Sequence, residues 1–377
     1  MELEFTPDQE ELRDSVRAVL ERECPIGMVR SVVEDGVAPD ALWKQMVELG
    51  WPALTVPAEQ GGLGLGWVEL AVVVEELGRA VAPGPFVATV GLFLPAVQAT
   101  ADAAQLARVL PRIAEGSLTG ALALTEADGG SDPATVRAEA VRHGAGWELS
   151  GTKTAVLDGD SADELLVVAR EPGTQGDDGL VAALVPRAAA TVTPEAPLDA
   201  TRGLVHVTLD GVSVGADRVL GQPGPATARA LRSAIEAGTV ALAVEIVGTC
   251  QTIFDVTLEY AKQREQFGVP IGSFQAIKHK FADMLVSLER ARATSYFAAL
   301  CVAENDPRRS IAASTAKAAA GDCQALLAKE GIQIHGGIGY TWEHDMHLYV
   351  RRAKTDAALL GNTHEQRARI ADELLGR

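Results

Sequence analysis

From about Ala226 to Gln263 the chain is small and apolar nearly all round, and a helix without a polar face has to be covered on every side. Three more helical patterns follow with short joints, about Ser273 to Asn305, Arg309 to His335 and His344 to Leu375. Ile277, Phe281, Met284, Leu285 and Leu288 give the second of these a clean apolar stripe. Short joints make successive helices antiparallel neighbours, so residues 223–377 predict a four-helix bundle.

Thr6-Pro7-Asp8-Gln9 has a Thr cap, Pro at the first helical position and Gln three residues after the cap, which opens a helix. Helical patterns recur at about Pro39 to Leu49, Glu69 to Arg79 and Ala101 to Ala114. The glycine-rich Gly61 to Gly66 follows no strand and reads as a connector between helices, not as a dinucleotide loop. From Gly120 the period shortens. Leu122 to Thr125, Trp147 to Leu149, Thr154 to Leu157, Glu164 to Ala169, Leu180 to Val185, Ala190 to Val192 and Leu204 to Leu209 are β-rich runs divided by Gly, Asp and Pro. The expected fold is mainly α with a central β domain: an N-terminal helical domain (1–118), a small β-barrel or sandwich (119–222) and the C-terminal bundle (223–377).

A formal charge of -18 argues against nucleic acid, because phosphate binding needs concentrated Lys and Arg; an anionic ligand must meet a local basic patch. Cys24, Cys250, Cys301 and Cys323 lack CxxC spacing and read as reduced and mostly buried. No apolar run of about 18 residues suggests a membrane span. The acidic Met1 to Phe5 start shows no export leader, which makes the cytoplasm the default expectation.

Three stretches carry the chemistry. Leu124-Thr-Glu-Ala-Asp-Gly-Gly-Ser-Asp132 leaves a strand into a glycine turn; by itself it is a polar loop. Tyr260-Ala-Lys-Gln-Arg-Glu-Gln-Phe-Gly268, followed by Pro270-Ile-Gly-Ser-Phe-Gln275, offers a planar guanidinium beside a helix start, suited to a diphosphate; the bland alternative is a cation-rich helix end closed by Gly. Gln333-Ile-His-Gly-Gly-Ile-Gly-Tyr-Thr-Trp342 is followed by Arg351-Arg-Ala-Lys354 and the polar turn Gly361-Asn-Thr-His-Glu-Gln-Arg367. His344 and His347 beside Glu343 lack a convincing third metal ligand and read as a solvated helix start.

In this order the three stretches, with Gly61-Gly-Leu-Gly64 and Val74-Glu-Glu-Leu77, resemble the acyl-CoA dehydrogenases, and the resemblance spans the whole chain. It implies FAD, an acyl-CoA-type substrate, a homo- or hetero-oligomer (dimer or tetramer) and an electron-transfer acceptor. Carried over residue by residue, it places flavin contacts at Leu124 and Thr125, and Ser131 near the pyrophosphate and thioester chain. Arg264, Phe267 and Gln275, with Gln333, Gly336, Gly337 and His364, would hold the adenosine diphosphate half of a flavin bound mainly by the neighbouring subunit.

The family pattern also fails at definite positions. Its reaction removes a proton α to a thioester, a step in which a general base contributes about 10²–10⁴-fold, and the usual base position is Leu360 here. The alternative position, on the first bundle helix ten residues before the glycine matching Gly248, is Gly238. Glu236 is a weak candidate that needs a shifted register, and Glu245 also lies nearby; a helix turns about 100° per residue, so neither faces the same point automatically. Within Gly151-Thr-Lys-Thr-Ala-Val-Leu-Asp158, Ala155 stands where a ring-covering Trp is common and Leu157 where a hydroxyl residue is. The expectation is therefore a base-lacking subunit of an unlike pair. A same-fold flavin monooxygenase or oxidase of secondary metabolism, and a non-catalytic acyl-CoA- or partner-binding scaffold, are the alternatives.

Overall fold

A computed structural model describes residues 5–376 apart from Gly129 and Pro197. The acidic residues 1–4 and the first glycine of the Gly129-Gly130 pair therefore lie outside the described residues. The chain runs α1 (Pro7–Glu23), α2 (Ile26–Asp35), α3 (Asp40–Glu48), α4 (Trp67–Arg79), a π-helical stretch Val87–Phe93 leading into α5 (Leu94–Thr100), and α6 (Ala103–Ala114). Eight strands follow: β1 (Gly120–Ala123), β2 (Glu139–His143), β3 (Gly146–Leu157), β4 (Glu164–Arg170), β5 (Leu180–Pro186), β6 (Thr191–Pro194), β7 (Leu204–Gly215) and β8 (Val219–Leu220). Then come α7 (Pro225–Gln263), the hairpin β9 (Glu265–Gln266) and β10 (Val269–Pro270), α8 (Gln275–Ala303), α9 (Arg309–His335), α10 (Met346–Ala358) and α11 (Thr363–Leu375). The helix–strand–helix order expected from periodicity is the observed one. The pattern read as one helix from His344 to Leu375 is two, divided at Leu359–Asn362, where Leu359 ends the first and Asn362 caps the second.

Contacts gather the chain into two units, one of Met1–Val37, Trp67–Pro83 and Thr239–Arg377, the other of Ala38–Gly66 and Gly84–Gly238; α7 begins in the second and continues in the first.

In the strand-bearing unit the strands are hydrogen-bonded into one mixed sheet in the order β6-β7-β3-β2-β4-β5-β8, with β1 parallel to β4. β4 and β5 are apolar on both faces and buried almost throughout, as central strands covered on both sides are. β3 and β7 alternate buried and exposed residues along most of their length and are joined in antiparallel register from Gly146↔Gly215 to Leu157↔Leu204. The Gly61–Gly66 stretch is a connector: Leu63 N–H donates to Ala53 O at 2.9 Å and Leu65 N–H to Leu54 O at 2.8 Å.

In the helical unit α9 packs on α8, α10 and α11, while α4 packs on α1 and α8. The most apolar window of α7 is long and hydrophobic enough to cross a membrane, yet 89% of it is buried inside the protein, so it is a core helix. Its approach to α4 is backbone to backbone: a Cβ at Gly248 would stand 1.9 Å from Glu75 O, and one at Gly78 2.2 Å from Glu245 O. All four cysteines are free and buried, and burial pushes the Cys24 thiol up to about 11.

Candidate active site

In the strand-bearing unit the segment after β1 is pinned by a buried lysine. Lys153 alternates inward from β3 and is fully buried. Its Nζ donates to Leu124 O at 3.2 Å and to Glu126 Oε1 at 2.6 Å, and Thr154 N–H donates to Thr125 O at 2.8 Å. Glu126 in turn accepts from the backbone N–H groups of Arg137 and Ala138, each at 2.8 Å. Burial pulls the Lys153 ammonium down to about 8, with Glu126 acting against it. Burial also resists ionisation of Glu126, but Lys153 and the two backbone donors hold its carboxyl below the usual range. Leu124, Thr125 and Glu126 are thus fixed on both sides, with the Thr125 hydroxyl making no hydrogen bond among the described residues. Ser131 is buried and partnered.

The ring-covering positions behave differently. Ala155 has φ +49°, an uncommon backbone for a residue with a Cβ, and its N–H donates to Glu195 Oε1 at 2.8 Å. Leu157 is only 3% exposed and packs into its own domain. This strand therefore presents a methyl group and an occupied amide where a ring and a hydroxyl are usual.

In the helical unit the C-terminal ends of α7 and α9 meet. The rings of Tyr260 and His335 stack 4.4 Å apart, and the Tyr260 hydroxyl donates to His335 O at 3.3 Å. That contact brings Arg264, one turn beyond Tyr260, to the same end as Gln333, Gly336 and Gly337. Arg264 is exposed and has neither an ion pair nor a side-chain hydrogen bond among the described residues. Phe267 is 93% exposed at φ +55°, edge-on to Phe274 at 6.2 Å, and Gln275 is exposed in the first turn of α8. Gly336 sits at φ +64°, ψ −138°, a region open essentially to glycine alone. A Cβ at either Gly336 or Gly337 would touch nothing within 4 Å, so their smallness serves no packing inside this chain. A free guanidinium, a helix N-terminus and a bare glycine backbone together fit a diphosphate. The two histidines after this turn are absorbed by packing: His344 is edge-on to His335 at 4.6 Å, and His347 stacks on Trp342 at 4.2 Å.

Residues 6–117, 121–213 and 228–375 match the models described as acyl-CoA dehydrogenase N-terminal, middle and C-terminal domains. The chain belongs to the acyl-CoA dehydrogenase family. These are FAD-dependent oxidoreductases acting on CH–CH groups, the class to which this chain's fold and motifs assign it. Acyl-CoA dehydrogenase IpdE2 of Mycobacterium tuberculosis is 34% identical over 374 residues, which cover 98% of this chain and 99% of that protein. Among solved structures, butyryl-CoA dehydrogenase from Megasphaera elsdenii superposes with a TM-score of 0.92 at 26% identity, covering both chains fully. A chain of the ChsE4-ChsE5 complex from Mycobacterium tuberculosis does so with a TM-score of 0.88 at 28% identity, again over the full length of both.

The positions read from the family pattern as a base now have definite surroundings. Leu360 is half-buried in the turn between α10 and α11, at φ +54°; a left-handed leucine costs about 1–3 kcal/mol and persists only where its surroundings impose it. Gly238 is buried inside α7. Glu236 is half-buried on α7 and already engaged. Glu245 is fully buried, with its Oε1 3.0 Å from Nη1 of the equally buried Arg352, which places it in the core. His364 is exposed in the first turn of α11. Sequence reading passed over Lys153, Glu126, Glu195, Lys317 and Gln366. The available signals were a lysine inside the apolar alternation of β3 and another within the run Ala312–Ala320 of α9.

Proposed function

We propose that this chain works as the base-lacking member of an unlike pair of acyl-CoA dehydrogenase subunits, lending half of a flavin site to a partner that carries the other half and the proton-abstracting carboxylate. The observation that carries the reading is an asymmetry. Leucine occupies the seat of the base and β3 offers only Ala155 and Leu157 to a ring, while Arg264, Gln275 and the Gly336-Gly337 turn stand free at one end of the helical unit. A chain of charge -18 repels anions overall, so a diphosphate needs a local cation, and Arg264 is an exposed guanidinium with no carboxylate partner among the described residues. That one of the similar structures is a complex of two differently named proteins supports the same reading.

The substrate class proposed is an acyl-CoA thioester. FAD, held in part by these residues, would supply the hydride acceptor for the β carbon, and the partner's half of the site would supply the carboxylate for the α proton. This chain's part is positional. Arg264 neutralises diphosphate charge, the glycine turn allows close backbone approach, and the Lys153–Glu126 pair holds the Thr125 segment. By the family resemblance His364, exposed at the start of α11, is assigned to the same cofactor half.

The test is to purify the chain alone and after co-expression with a neighbouring-gene dehydrogenase homologue, and to measure FAD per chain and acyl-CoA oxidation in each preparation. The expected result is little flavin and no turnover alone, with one FAD per pair and turnover in the complex. A chain that is fully flavinated and active by itself would remove the reading and return attention to Glu236 or another carboxylate.

A further inference from the structure

The turn that seats Leu360 is held from two sides by buried side chains for which leucine has no chemical use. Lys317, on α9 and 1% exposed, donates through Nζ to the carbonyl oxygens of Ala357 at 3.1 Å, Leu359 at 2.7 Å and Gly361 at 3.1 Å. Gln366, on α11 and fully buried, donates through Nε2 to Leu360 O at 2.8 Å and Gly361 O at 3.4 Å. Gly321 stands four residues after Lys317, hence on the same face of α9, and a Cβ there would meet Thr363 Oγ1 at 2.2 Å, so α11 is seated against α9 at this point. Asn362 then caps α11 by accepting from His364 N–H at 2.9 Å, and Glu365 closes the capping box by accepting from Asn362 N–H at 2.7 Å. Part of this is ordinary satisfaction of helix-end carbonyls. What it does not require is a leucine at φ +54° between two clamped neighbours.

We infer that Lys317 and Gln366 are positioning residues that fix the backbone of residue 360, so that the side chain at that position is delivered in a single direction and a carboxylate placed there accepts a proton. The inference rests on the reading that position 360 is the seat of the missing base. In the Leu360→Glu variant the carboxylate takes the α C–H proton, the C–H electron pair passes into the thioester enolate, and a solvent deuteron returns to carbon; no oxidant is needed.

The experiment incubates the FAD-loaded complex in D₂O with an acyl-CoA whose partner-catalysed exchange has been silenced, and reads deuterium at the α carbon by mass spectrometry. Leu360→Glu is expected to raise wash-in by about 10²-fold or more. Adding Lys317→Met should remove at least tenfold of the gain, since a misplacement of about 1 Å costs on the order of 10²-fold, and Lys317→Arg should restore part of it. Equal wash-in with and without Lys317→Met, or no gain from Leu360→Glu in a folded protein, overturns the inference. Amide hydrogen exchange of Lys317→Met in the otherwise unaltered chain is an independent readout: residues 359–364 should exchange at least tenfold faster while the rest of α9 is unaffected, and an unchanged turn overturns the clamp. Fast wash-in by the unaltered chain would instead defeat the base-lacking reading and leave the clamp to be decided by the amide exchange.

Discussion

Replacing Gly248 by Ala puts one methyl group where α4 and α7 touch backbone to backbone. The new Cβ would stand 1.9 Å from Glu75 O and 2.8 Å from its carbonyl carbon, whereas ordinary contact begins near 3.4 Å. The difference, 3.4 − 1.9, is about 1.5 Å that the helices must yield. Overpacking costs about 1–3 kcal/mol, and the obstacle here is main chain, which cannot rotate aside, so the cost falls in the upper half of that range. Alanine is the better helix former by about 1 kcal/mol. The net expectation is a loss of about 1–2 kcal/mol, read as a lower urea midpoint with an unchanged slope. Gly27→Ala in α2 is the matched control, because its Cβ meets nothing within 4 Å. It should stabilise by up to about 1 kcal/mol. Gly78→Ala makes the reciprocal clash with Glu245, and one separation of the helices relieves both, so the double variant should cost less than the sum of the singles. A Gly248→Ala protein as stable as its parent, or more so, would mean that propensity governs this site and that the two helices do not meet there.

Arg352→Met removes the buried guanidinium paired with Glu245 and should cost about 3–5 kcal/mol; Glu245→Leu added to it should recover most of the loss in the same denaturation assay. The lysine in β3 gives a pH signature. With the folded value near 8 and the ordinary value 10.5, the unfolded chain binds more protons between those limits, so stability should rise with pH across about 8 to 10.5 by at most about 3 kcal/mol. Lys153→Met should abolish that rise, and a rise of equal size in the variant would refute the assignment. In the flavin-loaded pair, Arg264→Ala should weaken FAD about 10–100-fold, the value of a hydrogen bond to a charged group, and flatten the salt dependence of binding; unchanged titrations would separate Arg264 from the diphosphate.

The fold was legible because its strongest signals are long. An all-apolar α7, a striped α8 and the alternation of β3 and β7 survive any local ambiguity. What was lost is short. The strands at Glu139–His143 and Val219–Leu220 are too brief to show a period, the former being mostly exposed. The helix from Ile26 and the π-helical stretch before α5 lie in apolar sequence without a side-chain cap. The break at Leu359–Asn362 was absorbed into one helical pattern because helical sequence continues on both sides of a four-residue joint. Of the candidate site, the segments came from motif order, whereas the side chains that hold them, Lys153 and Lys317, act across 27 to 44 residues of chain and have no local pattern. Sequence can show that a lysine sits among alanines; only the fold shows which carbonyls it reaches.

Backbone strain links the two halves of this reading. Among the described residues six non-glycine positions have positive φ, and three of them, Ala155, Phe267 and Leu360, stand where the family pattern reads the ring position, the diphosphate loop and the seat of the base. Each carries an apolar side chain that draws no local hydrogen bond to favour that conformation, as Asn or Asp would. The surroundings supply the constraint: Glu195 at Ala155, the β9–β10 turn at Phe267, Lys317 and Gln366 at Leu360. Strain of this kind relaxes when nothing needs the shape. On the proposed reading position 360 no longer handles a proton while the clamp stands, which makes the shape itself what the clamp serves. A half-buried leucine held in one direction suits an apolar surface of fixed position, which an acyl chain or a docked partner provides and bulk water does not.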